Sequence, residues 1–187
     1  IPYTFVAMMI GTLAITGATT ISASGQDITL DEAASTFGTL ALTGANVAVT
    51  DAGATDLGAS TVSGTLGITS GGAVTDSGTL AITGATTISA SGQDITLDEA
   101  ASTFGTLALT GANVAVTDAG ATDLGASTVS GTLGITSAGA VTDSGTLAIT
   151  GAATISACSQ DLTLAEAAST FGTLALTGAN VAVTDAG

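Results

Sequence analysis

Hydrophobic and polar residues alternate one by one along short stretches of this chain. In residues 12–16, Leu13 and Ile15 share one face, and Thr12, Ala14 and Thr16 share the other. Successive side chains of a β-strand point to opposite faces, so this period of two is typical of a half-buried strand. The same pattern recurs in apolar pairs: Ile21 with Ala23, Ile28 with Leu30, Leu40 with Leu42, Val47 with Val49, and Leu66 with Ile68.

Turn-forming clusters separate these predicted strands at intervals of roughly 7 to 12 residues. The clusters contain single Gly residues, Asp-Ala-Gly, Ser-Gly-Gln-Asp or Ser-Gly-Gly, and they leave no room for crossover helices. One stretch differs, because Thr29 and Glu32 match a helix-capping box. We therefore expect a single helical turn or a bulged loop at residues 30–35.

Apart from its first ten residues, the chain repeats with a period of about 67 residues. Units 11–77 and 78–144 differ only at Gly71 and Ala138, and a partial third unit covers 145–187. Residues 1–10 are apolar, uncharged and do not repeat. The third unit carries five substitutions relative to the second: Ala153, Cys158, Ser159, Leu162 and Ala165.

Near-identical copying favours a parallel β-solenoid over a sandwich of hairpins. If copies stacked on their own images, Ile would lie on Ile and Thr on Thr, whereas a sandwich gains nothing from such identity. Three coils per unit give about 22 residues per coil, and two coils of roughly 33 residues are the alternative. The predicted fold is an all-β parallel β-helix that forms one continuous solenoid.

Composition supports this fold and excludes several partners. The chain has 26 Gly, four Phe and no Trp, so small aliphatic residues must fill thin, regular layers. It has no Lys, Arg or His and a formal charge of −15. Such a chain cannot neutralise phosphates, so we expect neither nucleic acid nor an anionic membrane as a partner. No apolar run reaches the ~18 residues of a membrane-spanning helix, so membrane insertion is not expected either.

Catalysis is not expected. No His or Lys is present to activate a Ser, Thr or Cys nucleophile. Carboxylate pairs can cleave glycosides, and Asp31 with Glu32 is the best such pair available. These two residues are adjacent in a loop, and the third unit has Ala165 in place of the Asp. We therefore predict that the protein is not an enzyme.

Calcium is the one ion that the sequence suggests. Asp51 and Asp56 flank a Gly-containing turn, and Asp118 and Asp123 repeat the arrangement. Carboxylate oxygens suit Ca²⁺, although neither a calcium-binding nonapeptide nor an EF-hand loop is present. The alternative is that these are solvated turn residues, and no other cofactor is expected.

Two further features have structural explanations as well as functional ones. Rows of Thr such as Thr12 and Thr16 would suit an ice-binding ladder, but Thr is also favoured on any exposed strand face. Cys158 stands where the earlier units have Ser24 and Ser91. It is either a tolerated small residue or a cross-link between rods.

The two ends of the solenoid are the predicted assembly interface. An end coil exposes unpaired backbone and apolar core to further strands. Residues 1–10 could cap the first coil, add a strand to a neighbouring chain, or belong to whatever precedes the array. The candidate residues are Ile1, Tyr3, Phe5, Val6, Met8 and Ile10 at one end and Val181 and Val183 at the other. Head-to-tail stacking through such ends would build a homopolymer.

Runs such as Gly-Thr-Leu-Ala-Ile-Thr-Gly-Ala-Thr-Thr-Ile-Ser-Ala-Ser and Gly-Ala-Asn-Val-Ala-Val-Thr-Asp-Ala-Gly resemble a known class of repeats. These occur in large secreted bacterial surface proteins, the filamentous-haemagglutinin-like exoproteins and autotransporter passenger domains. The resemblance covers residues 11–187 and implies a right-handed β-helix, extracellular, that serves as a stalk or adhesin. We therefore predict a structural extracellular fibre, stalk or surface filament. The alternative is an adhesin or surface-layer module that binds carbohydrate or calcium.

Overall fold

The structure is a computed structural model that describes residues 11–186 and the backbone of residues 7–8. The residues described form 22 β-strands in one parallel sheet and contain no α-helix. No helix that could cross a membrane is therefore found in this part of the chain. The predicted all-β parallel β-solenoid is confirmed.

The strands are short, as the spacing of turn clusters predicts. The first eleven are β1 (Ala7–Met8), β2 (Thr19–Ser22), β3 (Ile28–Leu30), β4 (Thr39–Gly44), β5 (Val47–Asp51), β6 (Thr55–Leu57), β7 (Ser60–Val62), β8 (Leu66–Ser70), β9 (Val74–Asp76), β10 (Leu80–Ile82) and β11 (Thr86–Ser89). The others are β12 (Ile95–Leu97), β13 (Thr106–Gly111), β14 (Val114–Asp118), β15 (Thr122–Leu124), β16 (Ser127–Val129), β17 (Leu133–Ser137), β18 (Val141–Asp143), β19 (Leu147–Ser156), β20 (Leu162–Leu164), β21 (Thr170–Thr177) and β22 (Val181–Val183).

Successive pairings arrange these strands in three columns, which are the three faces of the solenoid. The first residues of β4 and β13 lie at corners and also pair with β6 and β15 of the neighbouring column. Face 1 contains β6, β9, β12, β14, β17 and the second parts of β19 and β21. Face 2 contains β2, β4, β7 and β10, and then β15, β18, β20 and β22. Face 3 contains β1, β3, β5, β8, β11, β13, β16 and the first parts of β19 and β21. The chain visits the faces in turn and makes about eight coils.

Each coil is slightly shorter than predicted. The offset between paired residues is smallest at pairs such as Leu40 with Leu57 and largest at pairs such as Ala14 with Thr36. Its average is about 20 residues, against the expected value of about 22. Residues 31–35 form a turn closed by a 2.9 Å hydrogen bond from the Ser35 N–H to the Glu32 carbonyl, so the predicted capping box does not start a helix.

The sequence unit does not coincide with a whole number of coils, which corrects one expectation. Strand β4 lies on face 2, its copy β13 on face 3 and the copied part of β21 on face 1. A sequence unit therefore makes about three and one-third turns. Val47 pairs with Leu66 on face 3, and its copy Val114 makes the corresponding pairing with Leu133 on face 1. Units thus do not stack on their own images. Chemically similar residues instead lie on one another because they are one coil apart in the sequence.

The core is a continuous stack of aliphatic side chains. Inward positions alternate along each strand, as in β4, whose buried residues are Leu40, Leu42 and Gly44. Phe37 and Phe104 add the only aromatic rings that are buried among the described residues. Because the stack continues through all coils, each internal coil is covered on both sides by its neighbours.

Candidate functional site

The coil that contains β21 and β22 exposes apolar residues. Leu174, Val181 and Val183 are 37%, 46% and 38% exposed, whereas their copies in the first two units are buried in the core. In the described part of the chain, β21 pairs only with β19, and β22 only with β20. Val181 and Val183, two of the predicted interface residues, therefore lie on an apolar edge, and their role in assembly stays a prediction.

The other half of the predicted interface falls largely outside the described residues. This applies to Ile1, Tyr3, Phe5, Val6 and Ile10 and to the side chain of Met8. The backbone of Met8 is described, and in β1 it pairs with Thr29. The role of residues 1–10 in assembly therefore stays a prediction as well.

Asp51 and its copy Asp118 are buried at the ends of β5 and β14. Each residue is 1% exposed, and its carboxylate accepts a hydrogen bond from a turn amide, Gly53 N–H at 2.9 Å or Gly120 N–H at 2.8 Å. Each also accepts one from a threonine hydroxyl, Thr55 at 3.3 Å or Thr122 at 3.0 Å. Burial raises the pKa of the Asp118 carboxyl, although its hydrogen-bond donors act in the opposite direction.

Asp56 and its copy Asp123 face the outside and bind hydroxyl groups instead. The Asp56 carboxylate accepts hydrogen bonds from Thr39 in the coil before it at 2.7 Å and from Ser77 in the coil after it at 2.8 Å. Asp123 repeats both contacts with Thr106 and Ser144. These carboxylates link three coils along the outer surface.

The structure does not bring the predicted calcium ligands together. Asp51 occupies an inward position of β5 and Asp56 an outward position of β6, so their carboxylates lie on opposite sides of the coil wall. No group of three or more His, Cys, Asp or Glu residues that could hold a metal occurs in the part described. Calcium binding stays a prediction, and calorimetry with CaCl₂ tests it.

Asp76 has a role that was not predicted from the sequence. Its carboxylate accepts a hydrogen bond from the Asp98 N–H at 2.9 Å and one from the Glu99 N–H at 3.4 Å, one coil further on. Burial raises the pKa of Asp76; the two amides lower it, and the charges of Asp98 and Glu99 raise it.

Asp143, the copy of Asp76, shows that this contact needs only the backbone of the loop. It accepts hydrogen bonds from the amides of Ala165 and Glu166, so the contact survives the loss of the Asp98 side chain in the third unit. A signal was present in the sequence, because an Asp precedes both later copies of the loop by 22 residues.

Asp31 and Glu32, the best candidates for glycoside cleavage, are both exposed in their turn. Thr12, Ala14 and Thr16 are exposed as expected, but Ala14 is bridged to Thr36. Its copy Ala81 pairs with Thr61 and Thr103 on face 2. Copies of this stretch therefore do not form one threonine ladder.

Cys158 is exposed at a tight turn, and its backbone differs from that of the earlier units. Cys158 has a φ of 40° and Ser159 a φ of 70°, whereas the earlier units have a positive φ only at Gly25 and Gly92 in this turn. All three turns are closed by a hydrogen bond from the following Gln N–H to the preceding Ala carbonyl. Replacing Gly by Ser thus leaves two residues in the left-handed region instead of one.

Comparison with known proteins gives one result. Residues 8–43, 44–110 and 111–178 match successive copies of one repeat family, described as repeats of unknown function. No curated protein and no solved structure matches the chain. The match brings no link to filamentous-haemagglutinin-like or autotransporter proteins, so that resemblance stays a prediction. Because the matched residues cover most of the sequence, the chain belongs to the family Repeats of unknown function (DUF5649).

Proposed function

We propose that the protein is a structural rod, a segment of an extracellular fibre, stalk or surface filament, and that it has no catalytic role. The observation that carries this proposal is the continuity of the three strand columns across unit boundaries. Strand β11 of the second unit pairs with β8 of the first unit, and β17 of the second unit pairs with β19 of the third, in parallel and in continuous register, as strands within a unit do. A unit can therefore be added without creating a new kind of contact.

The mechanical properties follow from the same arrangement. Backbone hydrogen bonds connect coil to coil along the rod axis, and the aliphatic stack fills its interior. On the outside, carboxylates and amides add side-chain bonds between coils. Asn46, for example, donates to Asp27 at 2.9 Å and accepts from the Thr65 N–H at 3.0 Å. Such local, repeated contacts make stability grow with the number of coils.

End-to-end assembly is the finer part of this proposal. Where the coil with β21 and β22 is the last of an array, its apolar edge is available to a second rod, and heterologous contacts of this kind produce filaments. Electron microscopy at neutral pH tests this part. Long fibres from the wild-type chain, lost in Val181→Asp, would support it, and separate short rods in both would contradict it.

Insertion of one more copy of residues 78–144 after residue 144 tests the structural role. A rod should lengthen by about 16 Å, three and one-third coils at ~4.8 Å each, with an unchanged cross-section in small-angle X-ray scattering. Its melting temperature should not fall. The control is an insertion of the same segment in scrambled order. An insertion that widens the particle, or behaves like the scrambled control, would contradict the proposal.

A further inference from the structure

A row of hydroxyl side chains runs along the outside of face 3. Its members pair with one another from coil to coil, in the order Thr50, Thr69, Ser89, Thr110 and Thr128. All five occupy outward positions of their strands and are exposed or half-buried. We call this row the hydroxyl ladder. Each of its strands is internal, with one neighbouring coil on either side.

The hydroxyls of the ladder have no hydrogen-bond partners among the described residues. Neighbouring strands are ~4.8 Å apart and a hydrogen bond between two hydroxyls is ~2.8 Å long, so one ladder hydroxyl cannot reach the next. Other outward polar groups bind each other instead: Asp56 accepts from Thr39 and Ser77, and Asn46 accepts from Thr65. The ladder hydroxyls must therefore bind something outside the molecule.

The strip of surface around the ladder is uncharged. The outward column beside it contains Ala48, Gly67, Thr87 and Ala108, which pair in this order. Neither column has a carboxylate between β5 and β16, although the whole chain has a formal charge of −15. Neither column has an aromatic or amide side chain, the groups that commonly orient an organic ligand. The strip therefore suits a small, neutral ligand that repeats along the rod.

The spacing of the ladder matches the spacing of oxygens in tetrahedrally bonded water. Two water molecules bound to the same third molecule at ~2.8 Å, at the tetrahedral angle, lie about 4.6 Å apart. Ladder hydroxyls at ~4.8 Å can thus replace every second oxygen in a row of such a lattice. One water molecule can bridge each neighbouring pair of hydroxyls.

The ladder is also held in one arrangement before any ligand binds. Four of its five members are threonines, whose branched side chains have restricted rotation at χ1. The strands beneath them are fixed by the ladder of backbone pairings and by the aliphatic stack. A row that is already ordered loses little conformational entropy on binding, so many weak contacts can add up.

We propose that the hydroxyl ladder is an ice-binding site, on which the five hydroxyls take the positions of water oxygens at an ice surface. The repeat supplies a second ladder on face 1, because Thr117, Thr136 and Ser156 are copies of Thr50, Thr69 and Ser89 and pair in the same way. The inference adds an activity to the proposed rod and does not depend on the role of that rod.

The test measures thermal hysteresis, the gap between the melting and freezing temperatures of a seed crystal, with the whole chain at neutral pH. We expect a measurable gap and faceted crystals. Thr69→Tyr combined with Thr110→Tyr should reduce the gap, because the rings keep the strip on face 3 away from the ice. Addition of Thr136→Tyr blocks the second ladder as well and should abolish the gap. Tyr is favoured in strands, so circular dichroism should show an unchanged fold.

The matched control is Thr142→Tyr, at an exposed outward position of face 2 that belongs to neither ladder. This variant should retain the full gap. The inference would be overturned by the absence of a gap in wild type, by an equal loss in Thr142→Tyr, or by a full gap in the triple variant. Binding of the wild-type chain to insoluble cellulose or chitin, without an effect on ice, would assign the ladder to a sugar ligand and overturn it as well.

Discussion

At the scale of single residues, Thr86 is a polar side chain buried where the core is aliphatic. It is fully buried between Leu66 and Leu107, and its hydroxyl finds no hydrogen-bond partner among the described residues. A buried hydroxyl without a partner costs about 1–3 kcal/mol. The third unit has Ala153 at this position and so avoids that cost.

We expect Thr86→Val to raise the free energy of unfolding by about 1 kcal/mol, because it removes the unpaired hydroxyl and retains the shape of the side chain. Urea denaturation followed by circular dichroism measures the change. The matched control is Thr87→Val on the exposed side of the same strand, which should have little effect. A loss of stability in Thr86→Val would show that its hydroxyl has a partner.

The turn at Ser159 provides a second residue-scale prediction. Ser159 has a φ of 70°, and the corresponding Gly25 and Gly92 have 73° and 74°, with open space where a Cβ would lie. The cost of Ser is therefore conformational, about 1 kcal/mol. Ser159→Gly should raise the melting temperature, and Gly92→Ser should lower it by a similar amount. Differential scanning calorimetry of both variants checks this, and two shifts of the same sign would contradict it.

The pH dependence of stability follows from Asp76 and Asp118. Burial raises both pKa values above that of an unfolded chain, so the folded state binds protons more readily than the unfolded state does. Their contribution to stability is therefore greatest below the unfolded pKa, near 3.8, and is lost as pH rises through the raised values.

We expect the melting temperature to increase as pH falls from 7 towards 4.5. Asp118→Asn retains an acceptor for Gly120 and Thr122 without the charge, so its melting temperature should depend less on pH. A melting temperature that falls in wild type over this range, or an equal slope in the variant, would count against this assignment of the two carboxyls.

At the scale of strands, Val47 and Val114 test the ladder itself. The Val47 N–H donates to the Thr65 carbonyl at 2.8 Å, and the Val114 N–H to Thr132 at 2.8 Å. Pro at either position removes this bond and does not fit a central strand. Val47→Pro should lower the melting temperature by clearly more than Val47→Ala, which removes only side-chain packing. Equal effects of the two variants would mean that β5 is not a central ladder strand.

Strand identity could be predicted from sequence because alternation is local. Leu40 and Leu42 are buried as their spacing predicts, and so are Val47 and Val49. The contact between Asp76 and the Asp98 amide could not be found in this way, because it depends on a register across 22 residues. That register depends on the number of residues in each turn between neighbouring faces, and the composition of the turns does not specify this number.

At the scale of the whole molecule, the unit period and the coil period are different quantities. The unit can be read directly from the sequence, and the family match has a central copy of the same length, residues 44–110. The additional third of a turn, by which each unit moves on to the next face, cannot be read from the sequence in the same way. Because a unit can be divided into three equal coils, the sequence alone predicts that each unit stacks directly on the preceding copy. The observed pairings instead place consecutive units on successive faces.

This rotation decides how surface features are displayed along the rod. The hydroxyl-bound carboxylates Asp56 and Asp123 belong to β6 on face 1 and β15 on face 2. Copies of any group that occurs once per unit thus follow a helical path around the rod, and the group returns to the same face only after three units. A flat partner would meet one such group per face over about ten coils, or roughly 48 Å at ~4.8 Å per coil.

The measurement that tests this arrangement most directly is a pair of spin-label distances in a Cys158→Ser background. Thr50 and Thr128 lie on face 3, connected by the pairings of Thr69, Ser89 and Thr110. Four coils at ~4.8 Å place them about 19 Å apart. Thr117 is the copy of Thr50 but lies on face 1.

With labels at Thr50→Cys and at either Thr128→Cys or Thr117→Cys, we predict a distance to residue 128 of about 19 Å along face 3. The distance to residue 117 should be clearly greater than the ~14 Å that three coils stacked on one face would give, because residue 117 lies three and one-third coils away and on another face. A distance to residue 117 of about 14 Å would mean that units stack on their own images and would contradict the advance of one face per unit.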